Sequence, residues 1–253
     1  MPRFMSPGEL ANELASANLL CYGDSWMMHP FANLTPELEN IHRGENILIL
    51  GDSGLEAAEL VNRDLRHLPM FEQSLTDNQG TLRRVYLSAG GNDFAGFDDF
   101  ASILVPDASA AAFPAACFDI PALTRLFTQI FADIDTLCKL VAARAPNAEV
   151  RLHNYDYAIP NGKTKIGGGK WLKVPMDACH VPDDGNLQRP GFRREVVATL
   201  IDTFGHWQEN TARNNPNAKF IRTAGTIADD CWMDELHPSG RGFKALARRL
   251  AAN

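Results

Sequence analysis

Two stretches at opposite ends of the chain carry residue types that together perform nucleophilic catalysis. The first is Leu19-Leu20-Cys21-Tyr22-Gly23-Asp24-Ser25-Trp26, an apolar run of strand length that ends in Gly-Asp-Ser. Glycine permits the sharp turn such a run needs at its end. A serine at the tip of a parallel strand stands on rigid backbone where ligands bind. The second stretch is Asp234-Glu235-Leu236-His237. An Asp and a His three residues apart are aimed the same way by one turn of backbone. Ser25 then reads as the nucleophile, His237 as the base that takes its proton, and Asp234 as the carboxylate that orients the imidazole through Nδ1. The oxyanion that develops needs hydrogen-bond donors. The backbone N–H of Ser25, that of Gly54 at a helix start after the next strand, and the side-chain amide of Asn92 after the third are the candidates.

These groups need a framework. Residues 18–22, 47–50, 84–88, 150–154 and 219–222 read as strands. Helical spacing of apolar residues covers Leu55 to about Leu65, 121–144, 192–210 and 239–251, and Ser6-Pro7 reads as the capped start of a short helix. Trp26 to Pro30 reads as apolar and irregular. Strands alternating with helices predict an α/β fold, a five-stranded parallel sheet covered on both faces. No break in composition marks a second domain, so 1–253 reads as one domain. Asn161 to Gly191, rich in Gly and Pro, reads as a lid or substrate-loop insertion.

Composition excludes several functions. The 253 residues are 45% hydrophobic and 22% charged, with a net charge of −7 and no basic run. Nucleic-acid binding needs clustered Lys and Arg, so it is not expected. No apolar stretch has membrane-spanning length, and the N-terminus does not read as a secretory signal. Five scattered cysteines without a CxxC read as reduced thiols and favour a cytoplasmic protein. His29, His42, His67, His180 and His206 are scattered and make no ligand set, so no metal is expected. Gly167-Gly168-Gly169-Lys170 lacks the phosphate-loop pattern and reads as a flexible hinge, so no nucleotide cofactor is expected.

Four blocks resemble those of the SGNH (GDSL-type) hydrolase superfamily: Gly23-Asp24-Ser25, Gly54, Gly90-Gly91-Asn92-Asp93 and Asp234-Glu235-Leu236-His237. Gly-Asp-Ser-Trp, His153-Asn154-Tyr155-Asp156-Tyr157 and the Glu-Leu-His-Pro ending are similar to a bacterial branch of it. The resemblance implies a flavodoxin-like three-layer α/β/α sandwich and ester hydrolysis without metal or cofactor. It places the nucleophile on Ser25, the Asp–His pair on Asp234 and His237, and the oxyanion donors on Ser25, Gly54 and Asn92. Trp26 stands where the family usually has Leu.

Ser53 sits in a second Gly-Asp-Ser and reads as a turn residue that caps the following helix; Asp24 and Asp93 read as organisers of their loops. Trp26, His153, Tyr155, Asp156 and Trp171 are the candidate substrate-binding residues, and a polar strand end packed on the next loop is the other reading of 153–157. Trp26, Met27, Met28 and Phe31 beside the nucleophile favour an apolar acyl group, as in a lipase, lysophospholipase or thioesterase. An acetyl-sugar esterase and a non-catalytic α/β binding module are the alternatives. The expected partner is a small-molecule or lipid ester; nothing in the sequence sets an oligomeric state.

Overall fold

The computed structural model describes residues 3–164, 171–183 and 191–252, so the hinge expected at Gly167–Lys170 lies outside the described residues. The apolar runs form a parallel sheet. Its strands are β1 (Arg3–Phe4), β2 (Leu19–Gly23), β3 (Ile47–Gly51), β4 (Arg84–Ser88), β5 (Glu149–His153) and β6 (Ala218–Ile221), in the order β1-β3-β2-β4-β5-β6. All their pairings are parallel. Every residue of β2 is buried, which is why it reads as an unbroken apolar run: a parallel strand is covered on both faces.

The sheet has six strands where five were expected. The additional β1 is only two residues long, too short to show a period, and it pairs with β3 through Arg3 and Phe4. Of the helix expected from Leu55 to about Leu65 only α4 (Ala57–Leu60) forms, and a further helix, α5 (His67–Asp77), begins beyond it. Between them the Asn62 side chain accepts the N–H of Asp64, a local turn that competes with helix. The stretch read as irregular after Gly-Asp-Ser contains one helical turn, α2 (Ser25–Met28).

The other helices are α1 (Pro7–Asn12), α3 (Thr35–Ile41), α6 (Phe97–Ser102), α7 (Ile120–Arg144), α8 (Lys173–Ala178), α9 (Phe192–Asn214) and α10 (Gly240–Ala251). α7 packs against α5 and α9, and α3 pairs with α10. The expected cap at Ser6 is present, accepting from Glu9 N–H, and Asp119 starts α7 by accepting from Ala122 N–H. No helix among the described residues is long and apolar enough to cross a membrane. All five cysteines are buried, and none of them forms a disulfide.

The topology singles out one strand tip. β3 lies on one side of β2 and β4 on the other. The chain therefore reverses its direction of travel across the sheet at β2, and the crevice beyond that strand's carboxyl end is where such sheets bind ligands.

The repeated Gly-Asp-Ser has a backbone cause. Gly23 pairs with Gly51 on one side and with Ser88 on the other. A Cβ on Gly51 would lie 2.0 Å from the Gly23 carbonyl oxygen, and a Cβ on Gly23 would lie 2.0 Å from that of Ser88. The following N–H groups use the same carbonyls: Asp52 donates to Gly23 O at 3.2 Å, and Asp24 to Ser88 O at 3.0 Å. Each turn hangs from the neighbouring strand, and only glycine fits the approach.

Candidate active site

Asp24 builds the turn that presents Ser25. It is the N-cap of α2, accepting the Trp26 N–H at 3.0 Å. It also accepts the Ser88 hydroxyl at 2.7 Å and the Tyr155 hydroxyl at 2.6 Å. Burial pushes the Asp24 carboxyl above its ordinary value, against the pull of those bonds. The Tyr155 oxygen accepts in turn from the Gly91 N–H at 2.9 Å. One phenol therefore joins the first block, the third block and the tip of β5. A Cβ on Gly91 would lie 2.7 Å from the Tyr155 ring. Tyr155 adopts a φ of +59°, costly for a non-glycine residue, and its carbonyl accepts the Thr223 hydroxyl at 2.8 Å.

The two ends of the chain meet at this turn. Ser25 Oγ lies 2.9 Å from His237 Nε2. His237 Nδ1 lies 3.0 and 3.2 Å from the two Asp234 carboxylate oxygens. Asp234 Oδ1 also accepts the N–H groups of Leu236 and His237, at 2.9 and 2.7 Å. Burial alone would raise the Asp234 carboxyl; the His237 side chain and those N–H groups outweigh it, and the carboxyl sits below its ordinary value. An ionised Asp234 accepts only, so the imidazole proton belongs on Nδ1, and the Nε2 lone pair faces the serine hydroxyl.

His29 was read as one of a scattered set, and the structure corrects this. Its ring stacks on that of His237, with centroids 4.2 Å apart and planes 26° apart. His29, Asp234 and His237 offer ligand atoms within 4.8 Å of one another. Imidazole lone pairs lie in the ring plane, however, and two rings stacked face to face aim theirs side by side. A metal ion needs them to converge at about 2.0–2.1 Å, so the pair fits stacking better than chelation. Burial, and then the neighbouring His237, lower the His29 pKa, so a neutral face covers the base.

Asn92 opens a short 3₁₀ turn, Asn92–Phe94. Its amide donates one N–H to Leu55 O at 2.8 Å, which leaves the second for a substrate oxygen. Gly54 differs from the expectation: it lies in an exposed turn with φ +88°, three residues before α4 begins, and it does not border the cavity described below. Ser53 differs too. Its hydroxyl donates to Met28 O at 3.3 Å, and the N-cap of α4 is Glu56. Asp93 organises its loop as expected, accepting the Ala57 N–H at 3.0 Å, and burial pushes its carboxyl up to about 7.

Beside Ser25 opens a narrow apolar cavity of about 50 Å³. Its walls include Trp26, Phe94, Leu172, Trp232 and Leu236, together with Val197, Leu200 and Ile201 of α9. The α9 residues and Phe94 were not anticipated as site residues, because helical spacing of apolar residues looks the same for a core and for a cavity wall. Met27 is fully buried and Phe31 is exposed, and neither borders the cavity.

The five candidate substrate residues divide. Trp26 lines the cavity, and its Nε1–H also donates to Leu236 O at 3.2 Å, tying the nucleophile's helix to the histidine loop. Tyr155 borders the cavity, but its hydroxyl is taken up as described. Asp156 also borders it, yet its carboxylate accepts the N–H groups of Tyr157, Gly225, Thr226 and Ile227 at 2.6–2.8 Å and serves the loop after β6. Trp171 stands edge-on to His237, 6.0 Å between centroids, while its neighbour Leu172 reaches the cavity. His153 does not border the cavity; its ring stacks on Trp26 at 5.5 Å.

His153 Nδ1 accepts the Tyr155 N–H at 3.2 Å, and its buried Nε2 has no hydrogen-bond partner. Burial lowers its pKa to about 3. An unfolded histidine titrates near ~6.5. Between those values the unfolded state binds the proton and the native state does not, so this group's contribution to stability is lost as pH falls through that window. The slope reaches about 1.4 kcal/mol per pH unit. Urea unfolding of the parent and of His153→Phe at pH 7 and pH 4.5 is expected to show the parent losing about 2–3 kcal/mol more than the variant. Equal losses would mean that His153 takes up the proton while folded.

No protein-family model matches the chain, and no curated protein matches it. Solved structures do. A protein of Slackia heliotrinireducens described as an SGNH hydrolase superposes with a TM-score of 0.58 at 12% identity, covering 93% of this chain and 97% of that one. The extracellular lipase of Streptomyces rimosus gives 0.55 at 14% identity, covering 93% and 100%. Phospholipase A1 of Streptomyces albidoflavus gives 0.53 at 15% identity, covering 94% and 100%. With its parallel α/β/α architecture and strand order, this chain has the fold of the SGNH hydrolases.

Proposed function

We propose that the chain is a serine hydrolase of the SGNH superfamily that cleaves carboxylic esters of an apolar acyl group. One observation carries the reading: the hydrogen-bonded series Ser25–His237–Asp234 opens onto a cavity walled by apolar side chains. Ser25 Oγ attacks the acyl carbonyl carbon as His237 Nε2 takes its proton. The oxyanion is held by the Ser25 N–H and the remaining N–H of Asn92, and Gly54 joins them only if its turn moves inward. Collapse breaks the bond to the alcohol, which leaves with the proton from His237. Water then repeats the sequence on the acyl-enzyme and releases the acid.

None of these steps uses a metal or a cofactor. The names of the structural neighbours, a lipase and a phospholipase A1, agree with ester cleavage. An acetyl-sugar substrate would call for a more polar lining than Phe94, Leu172, Leu200 and Trp232 provide. In this reading 1–253 forms one hydrolase domain, and the 161–191 segment is its substrate-loop insertion.

The test is covalent. A fluorophosphonate probe is expected to label one serine, and peptide mass spectrometry to place the adduct on Ser25. A series of 4-nitrophenyl esters is expected to show kcat/KM rising from acetate to a medium-chain acyl group. An adduct on Ser53, or no labelling together with no esterase activity, would overturn the proposal.

A further inference from the structure

Glu235, between the two residues assigned to orient and take the proton, is wholly buried. Its carboxylate faces backbone. Oε1 accepts the N–H groups of Gly162 at 2.8 Å and Lys173 at 3.0 Å, and Oε2 accepts that of Leu172 at 3.2 Å. Its own N–H donates to Lys163 O at 3.2 Å. Two separate stretches, 162–163 and 172–173, are therefore gathered onto one side chain of the histidine loop. Burial raises the Glu235 carboxyl against the pull of the N–H groups that surround it.

A carboxylate is a costly way to fill buried space, since an apolar side chain of similar size avoids the desolvation. What it offers in return is direction: an acceptor with no hydrogens of its own can satisfy several donors at once. The segment it holds is part of the substrate cavity. Leu172 is a wall residue, and Trp171 stands edge-on to His237. α8 begins within this anchor, at Lys173.

We propose that Glu235 is a positioning residue for acyl selectivity, holding Leu172 against the cavity so that a longer apolar chain is gripped while a short one is not. The proposal rests on the ester-hydrolase reading of the same site. In Glu235→Gln the amide oxygen can keep Gly162 and Lys173 while its NH₂ faces the Leu172 N–H, which then loses its acceptor. The release is confined to the wall residue. Asp234 keeps its own bonds to Leu236 and His237.

The experiment compares 4-nitrophenyl acetate and octanoate on parent and Glu235→Gln, with amide hydrogen exchange read on both proteins. KM for octanoate is expected to rise about tenfold, the scale of a lost hydrophobic pocket contact. Both constants for acetate are expected to stay within about twofold. Exchange at Leu172 is expected to accelerate while the His237 amide keeps its protection. Equal losses on both esters would overturn the proposal, because Glu235 would then only support the histidine loop; so would unchanged exchange at Leu172. A parent inert toward both esters and unlabelled by fluorophosphonate marks failure of the hydrolase reading instead, and the selectivity proposal falls with it.

Discussion

Asp234→Asn is expected to lower kcat about ten-thousandfold while leaving KM and the fold nearly unchanged. The reason is the tautomer of His237. Asp234 Oδ1 accepts two backbone N–H groups besides facing the ring. An asparagine oxygen can keep both of those bonds, so the loop holds its shape. The asparagine NH₂ then replaces the oxygen 3.2 Å from Nδ1 and its hydrogens oppose a proton there, while the retained oxygen, 3.0 Å away, is already shared by two N–H groups. The proton moves to Nε2, the atom 2.9 Å from Ser25 Oγ, and the base becomes a donor. Steady-state kinetics on a 4-nitrophenyl ester, with circular dichroism to check the fold, decide the matter. Activity within about tenfold of the parent would remove Asp234 from the role of orienter. The stacked face of His29 does not soften this prediction, because it restrains ring rotation and leaves the choice of tautomer open.

Gly23→Ala is expected to cost at least about 4 kcal/mol, a large share of the ~5–15 kcal/mol that holds a typical domain together. The added methyl would sit 2.0 Å from the Ser88 carbonyl oxygen and within 2.9 Å of the Ser88 backbone carbon and nitrogen. These are main-chain atoms of the adjacent strand, so no side chain can swing aside. Relief requires opening the β2–β4 ladder at the register where Gly23 faces Ser88. The φ of +153° adds to the strain. Gly54→Ala is the matched comparison: φ is +88°, but nothing lies within 4 Å of the new methyl. Its cost is expected to stay near ~1 kcal/mol. Urea unfolding of the two variants measures the contrast. A soluble Gly23→Ala with a midpoint near the parent's would refute the account of the turn.

What could be read from the sequence was whatever is local. β2 and β3 announce themselves as buried apolar runs, and the Asp234–His237 pair meets through a spacing of three. What could not be read depends on distant partners. Tyr155 and Asp24 are 131 residues apart, and nothing in either neighbourhood says that one hydroxyl will join two blocks. His29 looked incidental because its stacking partner lies near the other end of the chain. Glu235 was passed over between two more conspicuous residues, since its donors belong to backbone and backbone has no letter. Asp156 and His153 showed the converse: polar residues at a strand tip invite a substrate role, and here the fold uses them itself.

The Gly-Asp turns bear on how such a protein can be redesigned. Because Asp52 hangs from Gly23 and Asp24 hangs from Ser88, the position of Ser25 is dictated by the sheet and not by the loop that carries it. Four wall residues, Leu172 and Val197, Leu200 and Ile201 of α9, take no part in that suspension. A library confined to Leu172, Val197, Leu200 and Ile201 can therefore vary what is bound without moving the atom that reacts.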